Sequence, residues 1–271
     1  MAVSKVVYLV RHAEAEHNVL EREAQQRAIA DGLSPEQVED ARKQVLLDAS
    51  TVDPSLSQAG RAQVSHLHED FTRLISEGGY PVPEAVWVSP LQRAIDTAAV
   101  LFEDHPKTQE MDLLRERRTG YLCDEPSPGK RRSMPTFLSK EAVEGKPEVR
   151  RRAQQLLDEL FQTPCDALAV VTHKGFLREL DQGPLQEFTW LRCQCARQSR
   201  RASTIYDNAE LRVYLLTWTP AGGPGTVICR SVAGALASGP QWATPGAQCH
   251  CQQDVESESS EVESSDDQGE A

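Results

Sequence analysis

Three short segments of the chain are almost continuously apolar. Lys5–Val10 (KVVYLV), Ala85–Val88 (AVWV) and Ala167–Thr172 (ALAVVT) carry no alternation of polar and apolar positions, the pattern of strands buried on both faces of a parallel sheet. Ala209–Trp218 (AELRVYLLTW) reads as a last strand. Between them the period changes to that of a helix. From Ser57 to Ile75, Val64, Leu67, Phe71 and Leu74 recur three or four residues apart, and Ser57 can cap the start. Ser89-Pro90-Leu91-Gln92 predicts a further helix start, with Ser as cap, Pro in the first turn and Gln reaching back. Val149 to Phe161 places Leu156, Leu157 and Leu160 on one face, and Lys174–Leu180 opens another helix directly after a strand. Strands alternating with helices predict an α/β fold: a three-layer sandwich with a mostly parallel central sheet and helices on both faces.

Two segments fall outside this alternation. Residues 19–52 form an insert after the first strand. The capping pattern Ser34-Pro35-Glu36-Gln37 and its charged faces predict surface helices near the mouth of any site at the strand ends. After Trp218 the chain turns rich in Gly, Pro, Ala and Ser, and then ends in a Ser/acid run that cannot bury enough apolar surface to offset chain entropy. The expected division is a folded domain over 1–219 and a linker with an acidic disordered C-terminal tail over 220–271, with one docked strand at Thr226–Arg230.

Charge sharpens this picture. The formal charge is −12, but eight acids lie between Gln252 and Ala271 without a base, leaving −4 for everything before them. The acidic balance therefore belongs to the tail, and no nucleic-acid partner is expected, since phosphate backbones demand cationic surface. No run approaches the roughly twenty apolar residues that span a bilayer, so no membrane partner is expected. The first residues carry neither an apolar signal core nor an Arg-rich leader, which makes a cytoplasmic location the expectation. Seven cysteines, an odd number in such a chain, read as free thiols.

The candidate chemistry sits where strands end, which is where α/β sheets gather ligands. The first strand runs into Arg11-His12 and the Ala167–Thr172 strand into His173. A helix starting after His173 aims backbone N–H groups at the same place, which favours an anion. Arg93 lies one turn into the helix that follows Ala85–Val88. Two histidines and two arginines converging on one crevice make a cationic pocket of phosphate size.

Five segments then appear in a set order: Leu9-Val10-Arg11-His12-Ala13-Glu14-Ala15-Glu16-His17-Asn18, Asp53-Pro54-Ser55-Leu56-Ser57-Gln58-Ala59-Gly60, Val88-Ser89-Pro90-Leu91-Gln92-Arg93-Ala94-Ile95-Asp96-Thr97-Ala98, Leu114-Arg115-Glu116 and Val171-Thr172-His173-Lys174-Gly175-Phe176. In this order they resemble the histidine phosphatase superfamily, in its phosphoglycerate-mutase-like branch, over about residues 5–218. The resemblance implies that His12 is the phosphoryl-accepting nucleophile and Arg11 the adjacent clamp. It implies that Asn18 is a phosphate-contacting amide, Arg93 the second arginine, His173 the second pocket histidine and Glu116 the proton donor to the leaving group. Two positions depart from the family: Ala13 stands where Gly is common, and Lys174 where Gly or Ser is usual, placing a long cation at the rim of the substrate site.

The chemistry agrees with this assignment. Neutral imidazole, with an ordinary pKa of about 6.5, is a competent nucleophile near neutrality. A phosphohistidine splits hydrolysis into two easier steps, and the leaving oxygen needs a proton from a carboxylic acid. Glu116 is first choice for that acid, with Glu110, Asp124 and Glu125 in the same stretch. No cofactor and no metal are called for; Cys193-Gln194-Cys195 and Cys249-His250-Cys251 are too sparse for a closed zinc site. His17, His66, His68 and His105 are expected to face solvent. Arg131-Arg132-Ser133 and Arg200-Arg201-Ala202-Ser203 read as solvated basic loops. The function expected is metal-independent hydrolysis of a phosphomonoester on a small molecule or a phosphoprotein. The alternatives are a phosphoglycerate mutase-type phosphotransferase, disfavoured by the lack of a Glu-Arg-x-Tyr-Gly run after Glu116, and a weakly active phospho-ligand adaptor.

Overall fold

The computed structural model describes residues 2–127, 143–190, 205–232 and 235–236. Its strands are β1 (Val3–Arg11), β2 (Ala85–Val88), β3 (Thr108–Glu110), β4 (Ala167–Thr172), β5 (Thr189–Trp190), β6 (Leu211–Trp218) and β7 (Pro224–Ser231). They form a single sheet in the order β3-β2-β4-β1-β6-β7-β5. Neighbours run parallel from β3 through β2 and β4 to β1, and again from β7 to β5; β6 alone is reversed among these strands. The helices are α1 (Glu16–Ala30), α2 (Pro35–Leu46), α3 (Gln58–Ser76), α4 (Gln92–Leu101), α5 (Lys146–Gln162) and α6 (Lys174–Gln182).

The continuous apolar runs have the expected cause. Successive side chains of a strand point to opposite faces, and both faces of this sheet are covered. Val7 and Leu9 of β1, with Leu168 and Val170 of β4, pack against Val149, Leu156, Leu160, Phe176 and Leu180 of α5 and α6. The alternate residues Tyr8, Val10, Ala169 and Val171 pack against Val64, Phe71, Ala94 and Leu101 of α3 and α4. Fully buried leucines such as Leu156 and Leu168 each contribute about 1.5–3 kcal/mol by leaving water.

Four local expectations are corrected or extended. First, α4 begins at Gln92, with Leu91 as its cap. The Ser89 hydroxyl is engaged with His173 instead, and the Asp53 carboxylate, from a distant loop, accepts from Gln92 N–H at 2.6 Å. Second, the docked strand runs Pro224–Ser231 and lies inside the sheet, between β6 and β5. The sheet thus continues past residue 219, because β7 finds partners on both edges. Third, β3 and β5, of three and two residues, are too short to leave a periodic signal. Fourth, the insert is a pair of helices, α1 and α2, as expected. The two basic patches, the Cys193 and Cys249 motifs and the acidic tail lie outside the described residues.

Among the described residues no helix is long and apolar enough to cross a membrane.

Candidate active site

Three parallel strands end side by side, and this brings the chemistry together. Arg11 of β1 pairs in register with Thr172 of β4, and Val88 of β2 with Val171 of β4. The residues that follow, His12, His173 and Ser89, therefore emerge at neighbouring positions. Backbone bonds fix them there: His12 N–H donates to Thr172 C=O at 2.9 Å and Ser89 N–H to Val171 C=O at 3.0 Å. The His12 and His173 rings lie 5.0 Å apart, centroid to centroid, tilted by 56°. His12 lines an open cleft of about 370 Å³ whose walls include Arg11, Asn18, Arg93, Glu116 and Lys174, and His173 is fully buried beside it.

Hydrogen bonds decide the state of each ring. His12 Nδ1 faces the Ala13 carbonyl at 2.7 Å. A carbonyl only accepts, so the proton sits on Nδ1 and Nε2 carries the lone pair. Arg93 Nε–H points at that lone pair from 3.3 Å. Burial, reinforced by the Arg93 and Arg11 charges, pushes the His12 pKa well below its ordinary value. The ring is therefore neutral at physiological pH, with an unprotonated Nε2 that faces Arg93. His173 is also held well below its ordinary pKa, by burial and then by Arg93 and His12. Ser89 Oγ accepts from Leu91 N–H at 3.4 Å and lies 2.7 Å from His173 Nε2, fixing the orientation of that ring. His173 Nδ1 is buried without a partner among the described residues.

The arginines are held differently. Arg93, 1% exposed, spreads its guanidinium over three acceptors: His12 Nε2, the Cys123 carbonyl at 2.7 Å and Asp124 Oδ1 at 3.0 Å. Arg11 donates through Nη1 to the Tyr206 carbonyl at 2.7 Å, while its Nε is buried and unpartnered among the described residues. Buried donors of this kind are costly unless something accepts from them. The cluster of cationic and neutral N–H groups suits an oxyanion.

Two of the four candidate acids reach the cleft. Glu116 accepts from Arg117 N–H at 2.7 Å and from Gly175 N–H at 3.1 Å. The helix N–H expected to face an anion is thus occupied by Glu116. This close approach depends on Gly175, where a Cβ would come within 2.4 Å of Glu116 Oε1. Asp124 lies deeper, on Arg93, and accepts from the Thr119 hydroxyl at 3.3 Å. Burial raises its pKa to about 6; the Glu116 charge adds to this and Arg93 opposes it. Glu110 is exposed on β3, and Glu125 pairs with Arg118 at 3.1 Å.

Asn18 caps α1 from within. Ala15 has no side chain that can cap, so Asn18 Oδ1 reaches back to accept from Ala15 N–H at 3.1 Å. This orientation leaves Nδ2 free to donate, and it faces His17 Nε2 at 3.0 Å. Lys174 is exposed at the rim, at the start of α6. Glu21, Arg42 and Leu46 of the inserted helices also line the cleft, as their position after β1 predicted.

His17 does not face solvent. It is 7% exposed, lines the cleft, and has its pKa pushed down to about 3 by burial and by Arg93 and Arg11. Of the other three, His66 is exposed, while His68 and His105 are half-buried. The signal for His17 was its place beside Asn18 in the first turn of the helix that leaves β1. Asp53 and Ser89 were likewise legible only as loop and cap.

A profile described as the histidine phosphatase superfamily (branch 1) matches residues 39–187. That span includes Arg93, Glu116, His173 and Lys174 and begins after Arg11, His12 and Asn18. A solved mycobacterial glucosyl-3-phosphoglycerate phosphatase is 17% identical to this chain; the match covers 84% of this chain and 98% of that one, with a TM-score of 0.49. A phosphoserine phosphatase from Entamoeba histolytica, solved with 3-phosphoglyceric acid, is 16% identical over 84% of this chain and 95% of that one, with a TM-score of 0.48. No curated protein matches the chain.

Proposed function

Because the chain belongs to the histidine phosphatase superfamily (branch 1), we propose that it hydrolyses phosphomonoesters through a phosphohistidine formed at His12 Nε2. One observation carries the choice of atom: the Ala13 carbonyl holds the His12 proton on Nδ1, so Nε2 is the unprotonated nitrogen, buried beside Arg11, Arg93 and His173.

The reaction runs in two balanced steps. The phosphoryl dianion binds with its oxygens toward the Arg11 and Arg93 guanidiniums and His173 Nδ1, and Arg93 Nε–H turns from His12 Nε2 to a phosphoryl oxygen. The freed His12 Nε2 lone pair attacks phosphorus as the ester P–O bond breaks, and the leaving oxygen takes a proton from Glu116. Water then attacks the phosphohistidine, Glu116 takes back a proton, and orthophosphate leaves. In-line attack and neutralisation of the equatorial oxygens are what phosphoryl transfer requires; the Arg11 and Arg93 charges beside His12 support the second. Asp124 sets the Arg93 guanidinium in place.

The cleft volume, about 370 Å³, lies in the range of small-molecule sites. The leaving group of a small phosphorylated molecule therefore lies between the Glu116–Tyr121 stretch and α1–α2, with Lys174 at its edge.

The test is chemical. Rapid quench of the full chain with a labelled phosphomonoester should trap a base-stable, acid-labile phosphoprotein whose label maps to His12. His12→Ala should lose both the trapped species and turnover while its circular dichroism stays unchanged. Full turnover in His12→Ala would end the proposal.

A further inference from the structure

We propose that His17 is a phosphoryl-binding residue of this cleft, donating its Nδ1–H to an oxygen of the substrate's phosphoryl group. The inference rests on the reading of the cleft as a phosphoryl site and adds to it a neutral donor supplied by the first turn of α1.

The argument is an accounting of hydrogen bonds. Asn18 Oδ1 is committed to Ala15 N–H, so the atom facing His17 Nε2 is the Asn18 amide nitrogen. An amide nitrogen only donates, hence His17 Nε2 accepts. A neutral imidazole that accepts at Nε2 carries its proton on Nδ1. That N–H is buried and without a partner among the described residues, on a side chain 93% removed from solvent that lines the cleft. A core histidine held for packing would find an acceptor for this proton, since buried donors are normally satisfied.

The surroundings specify what it accepts. The charges of Arg93 and Arg11 both act on the His17 ring, so an anion held by those two guanidiniums is within reach of its field. A neutral donor suits such a place. It adds a hydrogen bond to the bound dianion without adding a third positive charge between two arginines. The chain places it reliably, because Asn18 both closes the N-terminus of α1 and locks the adjacent ring. One capping residue thereby orients a ligand of the phosphoryl group.

The experiment uses the full chain and two probes, inorganic phosphate and orthovanadate, with affinities measured by calorimetry. His17→Ala should weaken both by roughly tenfold or more, the loss expected for one hydrogen bond to a charged group. His17→Asn, whose amide nitrogen falls near the position of Nδ1, should recover most of that loss. In the unsubstituted protein, long-range proton–nitrogen spectra should show His17 protonated on Nδ1 and its nitrogens moving when phosphate is added. Unchanged phosphate affinity in His17→Ala, a proton found on Nε2, or ring signals that ignore phosphate would each overturn the proposal while leaving the phosphohistidine mechanism standing. Failure of the unsubstituted chain to bind either probe would overturn both.

Discussion

Arg93 Nε–H donates to His12 Nε2 across 3.3 Å, while the same guanidinium holds Asp124 Oδ1 at 3.0 Å. One planar fork thus sets the distance between the proposed nucleophile and a carboxyl group buried beside it. Arginine is required for this geometry; lysine has one nitrogen and no fork. Arg93→Lys keeps the charge and loses the spacing. Its kcat/KM for a phosphomonoester should fall by roughly 10²–10³-fold, on the scale of losing one preorganised donor to developing charge. Steady-state kinetics with a folded variant checks this, and a loss under threefold would show that charge alone suffices.

The low pKa of His12 has a direct kinetic signature. Burial and two neighbouring arginines hold the ring well below the ordinary histidine value, so the proposed nucleophile stays deprotonated on the acid side of neutrality. The acid limb of kcat/KM reports groups of the free enzyme. It should lie clearly below pH 6.5, the ordinary imidazole value. Arg11→Gln removes one of the charges that depresses the ring, and the limb should move upward. An acid limb at the ordinary value in the unsubstituted protein would contradict the electrostatics described for this pocket.

Glu116 and Asp124 can be separated by the leaving group. An alkoxide needs a proton as it departs; a nitrophenolate does not. Glu116→Gln should therefore lose roughly 10²–10⁴-fold in kcat on an alkyl phosphate, the range of general acid catalysis, and keep most of its activity on p-nitrophenyl phosphate. Asp124→Asn should affect both substrates alike, because Asp124 acts through Arg93. The reverse pattern would transfer the proton-donor role to Asp124, whose pKa of about 6 leaves it partly protonated near neutrality.

The frame of the molecule was legible because its strands are buried on both faces. KVVYLV, AVWV and ALAVVT announce themselves without knowledge of their partners, and their carboxyl ends locate His12, His173 and Arg93. What escaped depends on distant pieces meeting. Ser89 looks like a helix cap until His173, 84 residues away, takes its hydroxyl. His17 looks solvent-facing because the charged residues around it dominate the local pattern. In the fold it is buried at the cleft, near Arg11 and Arg93. The strand β7 was expected only as a short docked piece, Thr226–Arg230, because Gly and Pro surround it; its two partner strands, not its own composition, secure it over Pro224–Ser231.

Asp53 ties two of these pieces together. It is nearly buried, adopts φ of 46°, and accepts from Gln92 N–H at 2.6 Å and from Ser127 N–H at 3.0 Å. Gln92 precedes Arg93, and Ser127 follows the turn that carries Asp124, so one carboxylate aligns both ends of that ion pair. Asp53→Asn is the informative change, since asparagine tolerates the same backbone conformation and can still accept one of the two bonds. The expected result is a fall in kcat/KM of about tenfold, with the KM for substrate rising and Tm dropping by a few degrees for a loss of about 1 kcal/mol. Unaltered kinetics alongside a lowered Tm would reduce Asp53 to a structural cap.

Asp181 makes a contribution to stability that is lost as pH rises toward neutrality, opposite in sign to that of the three histidines held below their ordinary pKa, His12, His17 and His173. It is 3% exposed; Tyr214 OH donates to its Oδ1 at 3.2 Å, and Arg212 stands 3.8 Å from Oδ2. Burial raises its pKa to about 7, against the pull of Arg212 and the Tyr214 bond. An unfolded aspartate titrates at about 3.9, so between the two values the native state holds a proton that the unfolded chain has released. The stabilisation from this group is complete below about pH 4 and is lost as pH climbs through about 7. Asp124, raised to about 6, contributes with the same sign over a narrower window. Asp181→Asn keeps an acceptor for Tyr214 and needs no proton. Urea unfolding at pH 5 and pH 8 should show the unsubstituted protein losing on the order of 2–4 kcal/mol more than this variant between the two conditions. Equal losses would mean that Arg212 compensates the Asp181 charge in full.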